Sequence, residues 1–144
     1  MMRRAKARIA AGIASLVMAA GIGLTGAQPA SAAASYISVW EGSCSSGYVC
    51  LFHDYQLQYT GYGYYNDVWN MATIPSPYNG MNNDSRSARN NSNAGNATKF
   101  YDVAGGSGTS RCLRPGYVLG YLGVLDQKTS ALVWSSSCGS VAYF

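Results

Sequence analysis

The stretch from Cys44 to Gly61, CSSGYVCLFHDYQLQYTG, constrains the fold more than any other part of the chain. A short loop between two cysteines leads into Tyr48–Phe52, whose residues favour β-strands, and glycines at positions 47 and 61 bracket that segment with turn residues. No stretch of the chain shows a sustained helical period. The sequence therefore predicts an all-β protein.

Five segments have the composition of strands, and segments rich in Gly, Asn, Ser or Pro between them predict turns. The predicted strands are Tyr48–Phe52, Thr60–Tyr65, Thr98–Tyr101, Tyr117–Leu122 and Ala131–Ser135. The predicted turns are Ile74–Asn79, Asn90–Gly95 and Ala104–Thr109. A further strand is expected at the end of the chain, over Val141–Phe144.

The first 32 residues have the pattern of a secretory signal peptide. An apolar run from Ile9 to Leu24 follows four basic residues, and Ala30-Ser31-Ala32 offers small residues to signal peptidase. The run is short for a membrane span of about 20 residues. We expect a secreted, extracellular protein that begins at Ala33, forms one domain over residues 33–144 and has no membrane association after signal removal.

Four cysteines, Cys44, Cys50, Cys112 and Cys138, all follow the signal. An even number in a small exported chain indicates two disulfides, and three pairings are possible. Closing short loops costs the least chain entropy, which favours Cys44–Cys50 and Cys112–Cys138. Their spacing does not suit zinc, and the chain has a single histidine.

Charge and motifs exclude several classes of function. Four of the ten basic residues lie in the signal, so six basic residues face six acidic ones in residues 33–144. Without a basic patch, nucleic acid is not an expected partner. No hydrolase motif accompanies His53, so we expect a protein that is not an enzyme. We also expect it to act as a monomer.

Phe52-x-Asp54-Tyr55, followed by Tyr59-x-Gly61, resembles the opening hairpin of a βγ-crystallin Greek key. In that family an aromatic packs over the hairpin, and the glycine takes a backbone angle closed to other residues. With the preceding cysteine loop, the region from Gly42 to Cys138 resembles the small secreted bacterial peptidase inhibitors of the metalloproteinase-inhibitor family. The resemblance implies a βγ-crystallin-like Greek-key β-sandwich and inhibition of an extracellular protease, in particular a zinc metalloprotease.

A second, degenerate key is indicated by a repeat within the chain. Phe100-Tyr101-Asp102 repeats Phe52-His53-Asp54, and Asp126–Thr129 repeats Asp84–Ser87 at an offset of 42 residues. A separation of this size suits a Greek key of four strands. Two keys are expected to pack as a sandwich, because one sheet alone leaves an apolar face in water.

The resemblance also points to calcium, since each key of that family carries a calcium motif. Each motif in this chain lacks one ligand position, and the candidate ligands are Asn83, Asp84, Ser87, Asp126, Thr129 and Ser130. The alternative is that these side chains bond the local backbone and hold turns. No cofactor is expected to be required, and any calcium should bind no more tightly than ~10⁻⁴–10⁻³ M.

By the same resemblance, Cys112 and Leu113 occupy the reactive stretch of the inhibitors, in which a half-cystine precedes a large apolar residue. Leu113 would enter the apolar pocket of a zinc protease, in a loop stiffened by the disulfide. The alternative is a core strand residue beside a structural disulfide. Should the reactive loop lie elsewhere, Ile74–Asn79 is the next candidate.

Aromatic residues concentrated near the first key leave another function open. Tyr62, Tyr64, Tyr65, Trp69 and Tyr78 either form an outer face that stacks on sugars or belong to the core. A glycan or cell-wall binding module, and a calcium-binding structural or antimicrobial protein, are therefore the alternatives to the inhibitor.

Overall fold

The computed structural model describes residues 34–144, so the predicted signal peptide lies outside the described residues. Eight strands are present there: β1 Tyr36–Trp40, β2 Tyr48–Phe52, β3 Thr60–Tyr64, β4 Ser87–Asn91, β5 Ala97–Val103, β6 Ser107–Leu113, β7 Val118–Leu119 and β8 Ala131–Ser135. The 3₁₀ helices are Tyr55–Leu57, Met71–Thr73, Tyr78–Met81 and Gly123–Leu125. These residues form no α-helix, in agreement with the all-β prediction.

The strands form two antiparallel sheets, in the orders β1-β3-β2-β4-β7 and β6-β5-β8. Each half of the chain contributes to the other half's sheet. Leu119 of β7 pairs with Ala88 of β4, and Val68, which precedes β4, bridges Leu132 of β8. This exchange makes two interlocked Greek keys, and the predicted Greek-key sandwich is confirmed.

The main core lies between the two sheets. Leu51, Tyr64 and Ala88 from the first sheet pack in one apolar cluster with Phe100 and Leu132 from the second. All five are fully buried. This shared core explains why the keys form one domain, because neither sheet could bury its apolar face alone.

The predicted strands β2, β3 and β8 are confirmed to within one residue, while the others differ. The predicted strand Tyr117–Leu122 is reduced to Val118–Leu119, and β6 begins inside the predicted turn Ala104–Thr109. The chain end forms a single bridge, between Tyr143 and Cys112, in place of the expected strand. The strands β1, β4 and β6 were not predicted.

The hairpin between β2 and β3 departs from the expected pattern. Tyr59 is 58% exposed, whereas Leu57 is 8% exposed and belongs to an apolar cluster with Val39 and Phe52. Gly61 does not have a positive φ. A Cβ at Gly61 would collide with the backbone oxygen of Leu51 and lie 2.9 Å from Phe52 Cδ1. The glycine is therefore required for the close approach of two strands.

Both predicted disulfides are confirmed. Cys44 pairs with Cys50 in front of β2, and Cys112 of β6 pairs with Cys138 beyond β8. No cysteine of the described residues is free. In the chain-entropy model, disulfides that close loops of these lengths stabilise a fold by about 2–4 kcal/mol each.

Candidate functional site

Leu113 lies inside the protein. It is 2% exposed, belongs to the main core cluster, and its carbonyl accepts a hydrogen bond from Asn90 Nδ2 at 3.0 Å. The Cys112 carbonyl accepts from the amide of Phe144 at 3.4 Å, because the chain end runs beside β6. The proposed reactive stretch at Cys112 and Leu113 does not fit this burial. Its alternative, a core strand residue beside a structural disulfide, describes these positions.

The two candidate calcium segments lie against each other. The amide of Asn83 donates to the carbonyl of Thr129 at 3.0 Å, and the amide of Gln127 donates to the carbonyl of Ser85 at 2.9 Å. Asn83 and Gln127 share a positive φ, 58° and 52°. These reciprocal bonds pair the segments about a pseudo-twofold axis.

The pairing corrects the internal repeat. Asn83 corresponds to Gln127, an offset of 44 residues, and β4 and β8 have the same offset. The offset predicted from the sequence, 42 residues, is therefore two residues too short. In the structural register Ala131 occupies the place of Ser87, so the second key has no hydroxyl there. The same register makes Tyr101, and not Phe100, the counterpart of Phe52. Phe52 pairs with Ser87, and Tyr101 pairs with Ala131, the residue in the place of Ser87.

Most of the candidate calcium ligands already have hydrogen-bond partners. Asp84 Oδ2 lies 2.8 Å from Nδ1 of His53, and the Ser87 hydroxyl donates to the Asp54 carbonyl. The Ser130 hydroxyl donates to Asn83 Oδ1 at 3.0 Å. These contacts are the ones expected when such residues hold turns.

Two oxygens in these segments are unpaired. Asp126 Oδ1 and Ser85 Oγ are buried and have no hydrogen-bond partner, while Asp126 Oδ2 accepts from the Tyr55 hydroxyl at 3.3 Å. Within residues 34–144, no group of three His, Cys, Asp or Glu side chains is placed to hold a metal ion. Calcium binding therefore stays a prediction.

The aromatic residues near the first key mostly pack on one another. Tyr64 is fully buried, and Tyr78 contacts both Tyr36 and Tyr62. Burial, followed by the neighbouring phenols Tyr62 and Tyr36, raises the pKa of Tyr64 above its ordinary value. Only two of the five aromatics are exposed, Tyr65 at 42% and Trp69 at 53%. These aromatic residues therefore do not form a continuous outer face of the kind that would stack on sugars.

The segment Thr73–Pro77, which begins at the end of the 3₁₀ helix Met71–Thr73, is exposed except at the partly buried Ile74. Its two ends are fixed in the core, because Met71 and Met81 are fully buried. The next-candidate segment Ile74–Asn79 overlaps this loop.

Two surface pockets accompany these features. One, of about 330 Å³, is polar, and its lining residues come from separate parts of the chain, among them Tyr65, Asp67 and Trp134. The other, of about 260 Å³, is lined by Arg114, Tyr117, Tyr143 and apolar residues. Arg114 lies 4.1 Å above the Tyr143 ring, and its hydrogen bond to Tyr143 raises the pKa of the guanidinium. Neither pocket was predicted from the sequence, because their lining residues come from distant segments and form no local motif.

Comparison with known proteins adds information on the fold. No protein-family model matches the chain, and no curated protein does. A solved structure from work on the evolution of the eye lens βγ-crystallin domain fold matches with a TM-score of 0.60 and 15% identity, over 72% of this chain and 99% of that one. A βγ-crystallin from Ciona intestinalis matches with a TM-score of 0.51 and 21% identity, over 62% and 100%.

These similarities, together with the exchanged strands, show that the protein has the βγ-crystallin fold. They give no support to the resemblance to the peptidase-inhibitor family. The chain's described residues contain no helix long and apolar enough to cross a membrane.

Proposed function

We propose that the protein is a secreted inhibitor of an extracellular protease, and that it contacts the enzyme through Thr73–Pro77. The observation that carries this proposal is that the side chains of this segment are exposed while both of its ends are held in the core. Thr73, Pro75, Ser76 and Pro77 are exposed, although the chain is anchored on both sides.

The anchors are hydrogen bonds as well as buried side chains. On the N-terminal side, the amide of Met71 donates to the Ser130 carbonyl at 2.9 Å, and the amide of Ala72 donates to Asn70 Oδ1 at 3.0 Å. On the C-terminal side, the Tyr64 hydroxyl donates to the Tyr78 carbonyl at 2.9 Å. Both ends of the loop are therefore attached to the core.

The loop is also braced internally. The amide of Tyr78 donates to the Pro75 carbonyl at 3.0 Å, and the amide of Gly80 donates to the Pro77 carbonyl at 2.9 Å. Two prolines restrict the backbone further. A segment that is ordered before binding loses little conformational entropy in a complex, and this favours tight inhibition.

Export supports the choice of an extracellular target. The signal-like residues 1–32 and the two disulfides suit an oxidising, extracellular environment. The preference for a zinc metalloprotease rests on the resemblance stated above. Protein sequencing of the secreted form should give Ala33 as the first residue.

The test is an inhibition assay of the secreted protein against a thermolysin-like enzyme, a subtilisin and a trypsin. The unaltered protein should inhibit the thermolysin-like enzyme. The variant Pro75→Gly/Pro77→Gly should raise the inhibition constant about thirtyfold, since each of the two freed residues adds ~1 kcal/mol of ordering cost. Ala104→Gly is the matched control, because Ala104 is exposed in a turn outside the segment.

Circular dichroism and thermal unfolding must show that the double variant keeps its fold. Unchanged inhibition by the folded variant would place the contact outside Thr73–Pro77. Absence of inhibition of all three enzymes by the parent protein would refute the inhibitor proposal.

A further inference from the structure

A polar surface pocket of about 330 Å³ lies where four separate segments meet, one of them at Gly47 in front of β2. Tyr65 and Asp67 follow β3, Asn93 and Asn96 belong to the connection between β4 and β5, and Trp134 is in β8. We name it the Asp67 pocket. Its volume falls within the range of about 300–1,000 Å³ of small-ligand sites.

The lining of the Asp67 pocket has a definite chemistry. It contains one carboxylate, Asp67, together with asparagine amides and two aromatic rings, Tyr65 and Trp134. No lysine, arginine or histidine lines it. Such groups offer several hydrogen-bond acceptors, amide donors and apolar ring surface, but no positive charge.

The pocket is held in shape before any ligand arrives. Asp67 Oδ1 accepts the backbone amide of Trp134 at 2.7 Å, which ties the segment after β3 to β8. The buried Asn90 donates to the Asn96 carbonyl at 2.9 Å and accepts from the amide of Ser92 at 3.0 Å. Both sides of the pocket are therefore attached to strands.

The aromatic side is fixed too. The rings of Tyr65 and Tyr48 are 5.4 Å apart, and a Cβ at Gly47 would lie 3.2 Å from Tyr65 Cε2. The glycine thus leaves room for this ring. The indole Nε1 of Trp134 is buried and has no hydrogen-bond partner within the protein.

We infer that the Asp67 pocket binds a neutral saccharide, with a pyranose ring as the recognised unit. Adjacent sugar hydroxyls both donate and accept hydrogen bonds, which matches a carboxylate beside amides. The apolar C–H face of the pyranose ring packs on the apolar faces of aromatic side chains. The carboxylate and the lack of a cation disfavour phosphates and sulfates.

This inference is independent of the proposed inhibition, because none of the pocket-lining residues lies in Thr73–Pro77. It also differs from the aromatic face considered in the sequence analysis. Of those five aromatic residues, only Tyr65 lines this pocket.

The test is a titration of isotopically labelled protein with glucose, galactose, mannose and N-acetylglucosamine, followed by NMR. At least one sugar should give saturable shifts confined to residues 65–67, residues 92–96 and the Trp134 side chain. Glucose 6-phosphate should bind more weakly than glucose. The absence of saturable shifts with every sugar, equal or tighter binding of the phosphate, or shifts located elsewhere would overturn the inference.

A matched pair of variants completes the test. Asp67→Asn should weaken sugar binding about tenfold, since a charged acceptor is lost while an amide oxygen can still receive the Trp134 amide. Asp102→Asn is the control, because Asp102 Oδ1 accepts the Thr109 amide at the same distance, 2.7 Å, outside the pocket. Equal affinities of the two variants would contradict the role of Asp67.

Discussion

The burial of Leu113 determines what a substitution at this position does. Its side chain is 2% exposed in the main core, so Leu113→Ala removes packed methyl groups and leaves a cavity. We expect the free energy of unfolding to fall by about 2–5 kcal/mol. Chemical denaturation measures this, with Val103→Ala as the control, because Val103 is 48% exposed.

The control should change stability by no more than about 0.5 kcal/mol. A folded Leu113→Ala protein with parental stability and lost protease inhibition would instead show an exposed, reactive Leu113. The local sequence does not distinguish these possibilities, since a cysteine followed by leucine suits a strand and a loop equally. What decides is the pairing of β6 with β5, in which Leu113 lies opposite Thr98.

At the scale of elements, the paired turn segments determine the expected response to calcium. Ser87 and Ser130 use their hydroxyls within the protein, and the place of Ser87 in the second key is taken by Ala131. Calcium prefers six to eight oxygen ligands, so few remain for it. We expect a dissociation constant no lower than ~10⁻⁴ M, the tight end of the extracellular range.

Titration calorimetry of chelator-treated protein gives this constant. Micromolar binding would mean that backbone carbonyls and the unpaired Asp126 Oδ1 form a more complete site than the hydrogen bonds suggest. Asp126→Asn should then weaken it, while Asp102→Asn, outside both segments, should not.

The strands differ in how far their own residues determine them. Tyr48–Phe52 and Ala131–Ser135 were predicted because β-branched and aromatic residues mark a strand locally. The residues of β4, Ser87–Asn91, are poor strand formers, and this segment is a strand because β2 and β7 bond it on both sides. The predicted repeat offset was wrong for a related reason. It was taken from matching residue types, whereas the register of the two keys is set by backbone pairing.

For the whole molecule, the fold class was predictable because strand-forming segments and turn residues recur along the chain. Both disulfides were predictable from the even number of cysteines and the lengths of the loops they close. The candidate sites were less so. The Asp67 pocket combines Gly47 with residues near 66, 94 and 134, and the fold brings these four segments together. The exposure of Thr73–Pro77 likewise depends on the burial of Met71 and Met81 beside it.

The central claim is that Thr73–Pro77, and not the stretch at Cys112 and Leu113, contacts a protease. Amide hydrogen exchange, measured by mass spectrometry on the protein alone and in complex with a thermolysin-like enzyme, tests it most directly. We predict slower exchange in peptides covering residues 72–80 and unchanged exchange in peptides covering residues 110–116. Protection of residues 110–116 with none at 72–80, or no complex with this enzyme, would contradict the claim.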